Sequence, residues 1–367
     1  MKIKDIGFDE YFEKLALSAL KVNSLEEINN EELVPAKVIR INKRYYTLFS
    51  DEGEFLARIK GKIRYNSEVQ SELPVVGDWV LMKKSDNNAF IDTILTRKNI
   101  LYRKANIKKN DIQAIVSNID YAFIIVGIDN EMPMSAIARY LSVVHTSGIK
   151  PIIAISKIDL YEEAEYKELL ATIKETYPNE TAFAYSSKTG KNASTFLKYI
   201  KKDTSSVFIG ASGAGKSTII NYLLKDEKMK TQEVREYDFK GMHTTTHREL
   251  LVLDSGGVVI DTPGLRNLGL WEDDKGIKKT FEDLEEYAKK CKFKDCTHQH
   301  EPDCYILELL ENDEIPYERY DAYITLLNEN RELQKSSIEI KKDRKMALKE
   351  ITKHRNNYKK MNVKNKQ

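Results

Sequence analysis

The chain has 367 residues, 32% of them charged, with a mean hydropathy of −0.51 and a formal net charge of +2. This length suffices for two or three compact units with separate cores. The sequence has no apolar run near the roughly 18 residues that a membrane helix needs and no secretory signal at its start, so we expect a cytoplasmic protein without a membrane partner.

The first 34 residues carry apolar side chains at Phe8, Phe12, Leu15 and Leu17, followed by an acidic stretch. This pattern predicts a helical extension over residues 1–34, made of a docking helix and a linker. We assign no chemistry to this extension.

About five short runs of alternating polar and apolar residues follow between Pro35 and Tyr102, separated by turn-prone segments. They predict a small all-β barrel over residues 35–106. The periodicity does not separate an oligonucleotide-binding (OB) barrel from an SH3-like barrel. Basic residues near its edges are candidates for phosphate contacts, with a solvated surface as the alternative for each: Lys60, Lys62, Arg64, Arg97, Lys98, Arg103 and Lys104.

Two later loops carry residue types that recognise guanine. An apolar strand over 151–155 leads into Ser156-Lys157-Ile158-Asp159, which approximates the N-K-x-D element of GTPases. An aspartate here accepts hydrogen bonds from N1–H and N2–H₂ of guanine, which adenine does not offer, so Asp159 specifies GTP. Lys157 is expected to lie along the base plane. The next strand ends before Ser186-Ser187-Lys188, which resembles the loop that contacts guanine O6.

A phosphate-binding motif follows these loops. The run Gly210-Ala211-Ser212-Gly213-Ala214-Gly215-Lys216-Ser217-Thr218 fits G-x-x-x-x-G-K-[ST] between an apolar strand and a predicted helix. In this motif the glycines let backbone N–H groups turn toward phosphate oxygens, and the helix N-terminus adds a positive end. Lys216 is expected to reach the β- and γ-phosphates, and the Ser217 hydroxyl to bind Mg²⁺.

The order of these motifs is unusual. Asp261-Thr262-Pro263-Gly264 follows another apolar strand and matches D-x-x-G, where the aspartate steadies Mg²⁺ and the glycine amide touches the γ-phosphate. In ordinary small GTPases the phosphate loop comes first, whereas here positions 156 and 186 precede 210 and 261. We therefore predict a circularly permuted α/β GTPase domain over residues 107–270, because permutation leaves the loops at the ends of the same parallel strands.

All three cysteines lie within fourteen residues, at Cys291, Cys296 and Cys304, with His298 and His300 between them. Three thiolates and one imidazole are the ligand set of a closed, structural zinc site, whereas so few cysteines make a poor disulfide framework. On spacing alone either histidine completes the set. We predict a mostly α-helical zinc-binding module over residues 271–330, with one Zn²⁺ per chain.

The C-terminal tail differs in charge from the rest of the chain. Residues 331–367 contain 13 Lys/Arg and 4 Asp/Glu, with Leu348 and Ile351 among the cations. This pattern is compatible with a helix that becomes ordered on RNA. A merely solvated tail is the alternative, and a membrane-surface helix is disfavoured because the apolar face is thin.

Together the motifs resemble those of the ribosome small subunit-dependent GTPase A family, bacterial permuted GTPases, over about residues 35–330. The run Gly241-Met242-His243-Thr244-Thr245-Thr246-His247-Arg248-Glu249-Leu250 looks like the switch segment of that family. The resemblance implies an OB-fold for the barrel and selects His298 as the fourth zinc ligand. Ser156 is a departure, because the family usually has asparagine there, and the missing amide puts nucleotide affinity in question more than nucleotide identity.

The residue after D-x-x-G does not supply the catalytic group, because Leu265 stands where many GTPases have a water-orienting glutamine. His243 is the candidate, since it precedes three threonines, of which Thr246 is expected to reach Mg²⁺ and the γ-phosphate. His247 is a weaker rival. The alternative is that His243 is simply a polar residue of a mobile loop.

These inferences favour a monomeric GTP hydrolase that binds the 30S ribosomal subunit and its 16S rRNA, and that turns GTP into GDP and phosphate. A role in late small-subunit assembly is implied by the resemblance alone. The alternative is a GTP-regulated RNA-binding switch in translation or RNA processing outside ribosome assembly. A third reading, an ATP-dependent enzyme, is opposed by Asp159.

Overall fold

The N-terminal extension docks onto the barrel. The computed structural model describes residues 1–26, 33–42, 45–61, 72–85, 88–104, 112–129, 133–224, 248–261 and 274–335. A short 3-10 helix, Ile3–Ile6, precedes helix α1, Glu10–Glu26. The rings of Phe8 and Phe12 pack on Trp79 with centroid distances of 4.8 and 5.8 Å. Leu17 is exposed, because five residues of helix turn it away from the face that carries Phe12.

The barrel consists of five strands: β1 (Leu33–Asn42), β2 (Tyr45–Ser50), β3 (Gly53–Ile59), β4 (Trp79–Ser85) and β5 (Asn88–Ile94). Strand β1 pairs with both β2 and β4, and β3 runs parallel to β5, so the order β1-β2-β3-β5-β4 closes on itself. This closed arrangement is that of the OB-fold, as predicted.

The central sheet is built mainly from parallel strands. It contains β8 (Tyr121–Gly127), β9 (Lys150–Ser156), β10 (Thr181–Ala184), β11 (Ser205–Ile209) and β13 (Val258–Asp261), with β12 (Arg248–Val252) antiparallel at one side. Helices α2 (Met134–Thr146) and α3 (Glu163–Thr176) cover one face, and α4 (Lys216–Leu224) covers the other. Successive residues of β8 are buried against opposite faces, which explains its continuous apolar run.

The barrel and the central sheet are joined in two ways. Strands β6 (Ile100–Lys104) and β7 (Ile112–Ser117) form a separate antiparallel pair between them. Strand β12 also pairs with β1 of the barrel, so the hydrogen-bonded ladder continues from the central sheet into the barrel.

The C-terminal part is helical. Helices α5 (Lys275–Thr280), α6 (Glu282–Ala288) and α7 (Tyr305–Glu311) are followed by α8 over 317–335, and the cysteine cluster lies in the loop between α6 and α7. The predicted three-part architecture is therefore confirmed. None of the helices in the described part of the chain combines the length and apolar character that crossing a membrane requires.

Candidate nucleotide and metal sites

The predicted nucleotide-binding loops meet at one edge of the central sheet. Strands β9, β10, β11 and β13 are parallel and end at Ser156, Ala184, Ile209 and Asp261. The carboxyl ends of parallel strands share an edge, where ligands of open α/β sheets bind. Segments that are far apart in sequence are thus brought together as expected for a permuted GTPase domain.

The backbone of the phosphate loop requires glycine at several positions. Gly210 has φ of +139°, and a Cβ there would lie 2.3 Å from the carbonyl oxygen of Ile125. Gly213 and Gly215 also have positive φ, at +76° and +95°. Ala214 is buried under the loop, whereas Ser217 and Thr218 at the start of α4 are exposed. The loop therefore keeps its backbone tight and leaves these hydroxyls accessible.

Lys216 folds back over the loop that it follows. Its Nζ donates to the carbonyl oxygens of Gly210 and Ala211, at 2.9 and 2.6 Å. The ammonium group is thus held above the concave backbone, in the region where phosphate oxygens bind in loops of this type. Phosphate oxygens would replace these carbonyls as acceptors.

The two loops predicted to recognise guanine are joined by a hydrogen bond. Asp159 is exposed, and its Oδ1 accepts from the Ser186 hydroxyl at 2.6 Å. The same hydroxyl accepts from the backbone N–H groups of Lys188 and Thr189, at 3.2 and 3.1 Å. This network fixes one carboxylate oxygen. A cavity of about 370 Å³ opens beside Asp159 and is also lined by Thr189 and Lys191.

Ser156 links the loop that carries Asp159 to the phosphate loop. Its hydroxyl donates to the carbonyl oxygen of Ala214 at 2.5 Å and lies 3.4 Å from that of Val126. The side chain is buried, and a Cβ on Gly215 would lie 3.6 Å from its oxygen. Although the asparagine amide is missing, the serine hydroxyl thus holds the two loops together.

Lys157 and Ile158 occupy different environments. Lys157 has a left-handed backbone, with φ of +65°, and its Nζ lies 2.6 Å from Oδ2 of Asp129. Asp129 follows β8 and was not anticipated from the sequence, because no motif spacing identifies it. Ile158 is buried in the core, so its side chain anchors the loop while Asp159 stays accessible.

Asp261 ends β13, the strand next to the one that leads into the phosphate loop, and its side chain is partly buried. The other predicted residues of this part of the site, His243, Thr246 and Gly264, lie outside the described residues. The same holds for the tail beyond residue 335.

The cysteine cluster has the dimensions of a tetrahedral metal site. The Sγ atoms of Cys291, Cys296 and Cys304 and one nitrogen of His298 all lie within 4.8 Å of one another. Nδ1 of His298 is 3.6 Å from Sγ of Cys291 and 3.5 Å from Sγ of Cys304, and these two sulfurs are 3.9 Å apart. Tetrahedral zinc with bonds of about 2.3 Å to sulfur and 2.0–2.1 Å to nitrogen gives separations of roughly 3.8 and 3.6 Å. The four side chains therefore fit a structural metal ion.

Of two other residues near the cluster, Glu301 supports the loop that carries the ligands and His300 is not a ligand. Glu301 accepts from the hydroxyl of Thr297 at 2.5 Å and from its backbone N–H at 2.8 Å, and the hydroxyl contact is the main reason that the pKa of Glu301 is lowered. Glu301 thus braces the metal-binding loop. His300 is exposed and outside the cluster, so the structure selects His298, as the resemblance implied.

Three cations proposed as phosphate contacts are instead paired with carboxylates, and the first of them is Lys60, which contacts Asp92. Arg97 makes a bidentate contact to the fully buried carboxylate of Asp78, at 2.7 Å for each bond, and its side chain is 11% exposed. Lys98 pairs with Asp9 of the N-terminal extension. Arg97 therefore stabilises the barrel and is not available to RNA, which is a correction to the reading of the sequence.

Comparison with known proteins gives consistent matches. A family model described as RsgA GTPase matches residues 94–271. The small ribosomal subunit biogenesis GTPase RsgA of Syntrophotalea carbinolica is 34% identical over 333 residues, 88% of each chain. RsgA 1 of Oceanobacillus iheyensis is 37% identical over 330 residues, 89% of this chain and 92% of that relative.

Two solved structures resemble the fold. The crystal structure of YjeQ from Thermotoga maritima superposes with a TM-score of 0.62 at 26% identity, covering 82% of this chain and 99% of that one. The structure of YloQ, described as a circularly permuted GTPase, gives a TM-score of 0.60 at 24% identity over 83% of this chain and 98% of that one. With relatives above 30% identity over most of both lengths, the chain belongs to the RsgA family of GTPases.

Proposed function

We propose that this protein binds the small ribosomal (30S) subunit and hydrolyses GTP to GDP and phosphate during late subunit maturation. Membership of a family whose relatives are named small ribosomal subunit biogenesis GTPases supports the biological setting. The single observation that most supports the chemistry is the meeting of the phosphate loop, Asp159 and Ser186 at one sheet edge.

In this proposal the loop 210–215 surrounds the β-phosphate with backbone N–H groups, and Lys216 exchanges its two carbonyl contacts for phosphate oxygens. The free oxygen of Asp159 accepts from N1–H and N2–H₂ of guanine, while Lys157 lies along the base. Mg²⁺ is held by the hydroxyls of Ser217 and Thr246, with Asp261 steadying it and the amide of Gly264 at the γ-phosphate. Positioning and charge neutralisation supply most of the catalysis.

A catalytic water needs a partner that Leu265 does not provide. We assign this role to His243, which stands three residues before Thr246 in the sequence. Binding of the subunit brings the imidazole to the water, so that slow intrinsic turnover becomes fast.

In this proposal the domains outside the GTPase domain bind the ribosomal subunit. The OB barrel, the zinc module and the basic tail contact 16S rRNA, with the domain limits as predicted from the sequence, and the protein acts as a cytoplasmic monomer. Zn²⁺ is the metal assigned to the cluster, because Cys₃His is a ligand set of structural zinc sites. A GTP-regulated RNA-binding switch outside ribosome assembly is the alternative.

The deciding experiment compares GTP turnover by the full chain alone, with purified 30S subunits, and with purified 50S subunits. We expect stimulation by 30S subunits only, falling steeply as salt is raised, since phosphate contacts release counterions. Equal turnover under all three conditions would reject the ribosomal role while leaving the nucleotide site untouched. Stimulation by unrelated RNA of similar length would favour the alternative.

Nucleotide choice is tested by Asp159→Asn. Losing a charge-assisted hydrogen bond costs about 1.5–3 kcal/mol, so we expect roughly a tenfold or larger loss of GTP affinity and improved binding of xanthosine triphosphate. Asp254→Asn is a matched control, because Asp254 is an exposed aspartate in the turn between β12 and β13, at the opposite end of the strands from Asp159. Unchanged GTP affinity in Asp159→Asn would remove this residue from the site.

The catalytic assignment is tested by His243→Ala. We expect GTP and 30S binding to persist while the stimulated rate falls on the order of 10²-fold. His247→Ala, four positions on, is the comparison variant. Full stimulation in His243→Ala, with bound nucleotide confirmed, would assign the water contact to the ribosome or to another residue.

A further inference from the structure

Three charged residues from two domains stand in one row of the continuous sheet. Arg40 of barrel strand β1 is directly opposite Glu249 of β12, and Glu249 is directly opposite Asp261 of β13. Side chains of directly opposed residues in antiparallel strands project from the same face of the sheet and lie within contact distance. The row therefore runs from the barrel to the aspartate assigned to the Mg²⁺ site, and this inference rests on that proposed site.

Within the row, Arg40 is the one positive charge beside two carboxylates. Glu249 and Asp261 are two carboxylates in directly opposed positions, an arrangement that destabilises a sheet. Glu249 lies on β12, between β1 and β13, and the guanidinium of Arg40 on β1 contacts its Oε1 atom, with both side chains partly exposed. The Glu249 carboxylate is thus paired on the side of β12 that faces the barrel.

Strand β12 also occupies a particular place in the chain. It begins at Arg248, directly after the segment that contains His243 and Thr246 in the sequence, and it pairs with the barrel at its first two residues. A shift of the barrel strand would therefore act on this strand at the end nearest the candidate switch segment.

We propose that Arg40 is a positioning residue for Asp261, acting through Glu249, so that correct seating of the barrel is part of a competent Mg²⁺–nucleotide site. The position of the barrel is then energetically coupled to nucleotide binding through the charge of Glu249. By linkage, the nucleotide state alters the barrel seam by the same free energy.

The test compares single and double charge variants of the isolated full-length chain. For each variant, GDP and GTP affinity is measured as a function of Mg²⁺ concentration. Arg40→Gln leaves Glu249 uncompensated beside Asp261, and we expect affinity at low Mg²⁺ to fall roughly twofold to fivefold, the range of an unfavourable cross-strand pair. The double variant Arg40→Gln/Glu249→Gln removes that charge and is expected to recover wild-type affinity.

The charge reversal Arg40→Glu/Glu249→Arg separates positioning from simple stabilisation of the seam. It restores an ion pair between β1 and β12 but places an arginine opposite Asp261. We expect nucleotide affinity at low Mg²⁺ to stay below wild type. Full recovery in the reversal, or equal losses in Arg40→Gln and Glu249→Gln, would show that the pair only stabilises the seam and would overturn the proposal.

Two further variants complete the design. Lys84→Gln breaks a comparable ion pair on the barrel, with Glu52, and is expected to leave the Mg²⁺ dependence unchanged. Asp261→Asn reports on the underlying site. If Asp261→Asn weakens Mg²⁺-dependent binding and Arg40→Gln does not, the coupling alone is wrong; if Asp261→Asn has no effect, the proposed Mg²⁺ role of Asp261 falls together with the coupling.

Discussion

The GTPase domain is attached to its two neighbours by different interactions. Toward the barrel, the junction includes the β1–β12 ladder and polar contacts of buried Lys37, whose Nζ donates to the carbonyl oxygen of Ile6 at 2.7 Å and lies 3.3 Å from the Ser205 hydroxyl. Toward the helical module, α5 packs directly against α2 at Gly276. The barrel junction contains a cavity lined by polar groups and aromatic rings, whereas the helical junction is close-packed and also carries ion pairs such as Arg139–Glu329.

The difference suits two mechanical roles. Helices joined by a close-packed junction move together, because packed interiors have few voids into which side chains could shift. A junction of charged groups around a cavity of about 330 Å³ responds to protonation, ions and partner charges. We therefore expect the helical module to move with the GTPase domain, and the barrel to be the neighbour whose seating responds to conditions.

The largest expected effect is loss of the metal that closes the helical module. In Cys304→Ser we expect zinc content, measured by mass spectrometry, to fall from about one per chain to near zero, because structural zinc contributes on the order of 10 kcal/mol to such folds. Hydrogen exchange over 291–304 should increase, while GDP affinity stays within a few-fold of wild type. Exposed His300→Ala is the matched control and should retain zinc. Metal-free wild-type protein from a chelator-free preparation would contradict the site.

Next in size is the effect of crowding the close-packed junction. A Cβ on Gly276 would lie 1.9 Å from the carbonyl oxygen of Ser142 and 2.3 Å from Oγ1 of Thr146, so Gly276→Ala forces α5 away from α2. We expect a loss of about 2–4 kcal/mol in unfolding free energy, measured by urea denaturation. Gly61→Ala, where a Cβ meets no atom within 4 Å, should change it by much less. Equal stability of the two variants would show that the junction is loosely packed.

The features that the sequence predicted correctly are those whose chemistry requires particular residue types at short, fixed spacings. The loop 210–215, the Asp159–Ser186 neighbourhood and the Cys₃His cluster are assembled from motifs whose ligands fix the spacing, so each was visible without the fold. The outcome for Ser156 could not be predicted, because its contact to Ala214 depends on how closely two distant loops approach.

Long-range packing explains what the sequence-based predictions missed or placed wrongly. Lys37 stands in an alternating run where it should face water, yet the N-terminal extension covers that face and buries it. Arg97 looked like a surface cation for the same reason, since the sequence does not show that Asp78 lies beneath it. Periodicity indicates which residues share a face of a strand and does not indicate what covers that face.

The smallest expected effect probes the polar junction through Lys37. Burial lowers the pKa of this lysine from 10.5 to about 8, opposed by the nearby carboxylate of Asp120. Below pH 8 the lysine is protonated in both the folded and unfolded states, so the full cost of burying the charge is present. Between pH 8 and 10.5 the unfolded state binds more protons than the folded state, and stability therefore rises with pH.

We expect the unfolding free energy of the wild-type protein to gain about 1 kcal/mol relative to Lys37→Met between about pH 7.5 and pH 9. The chain has two tryptophans, so a Trp271→Phe background leaves Trp79, whose ring lies 4.9 Å from Nζ of Lys37, as the fluorescent reporter of this junction. Lys4→Met is the matched control, because Lys4 is exposed and Glu13 raises its pKa, so it does not titrate in this range. Parallel pH profiles for wild type and Lys37→Met would mean that Lys37 keeps its proton throughout, and that the barrel junction does not respond to pH through this residue.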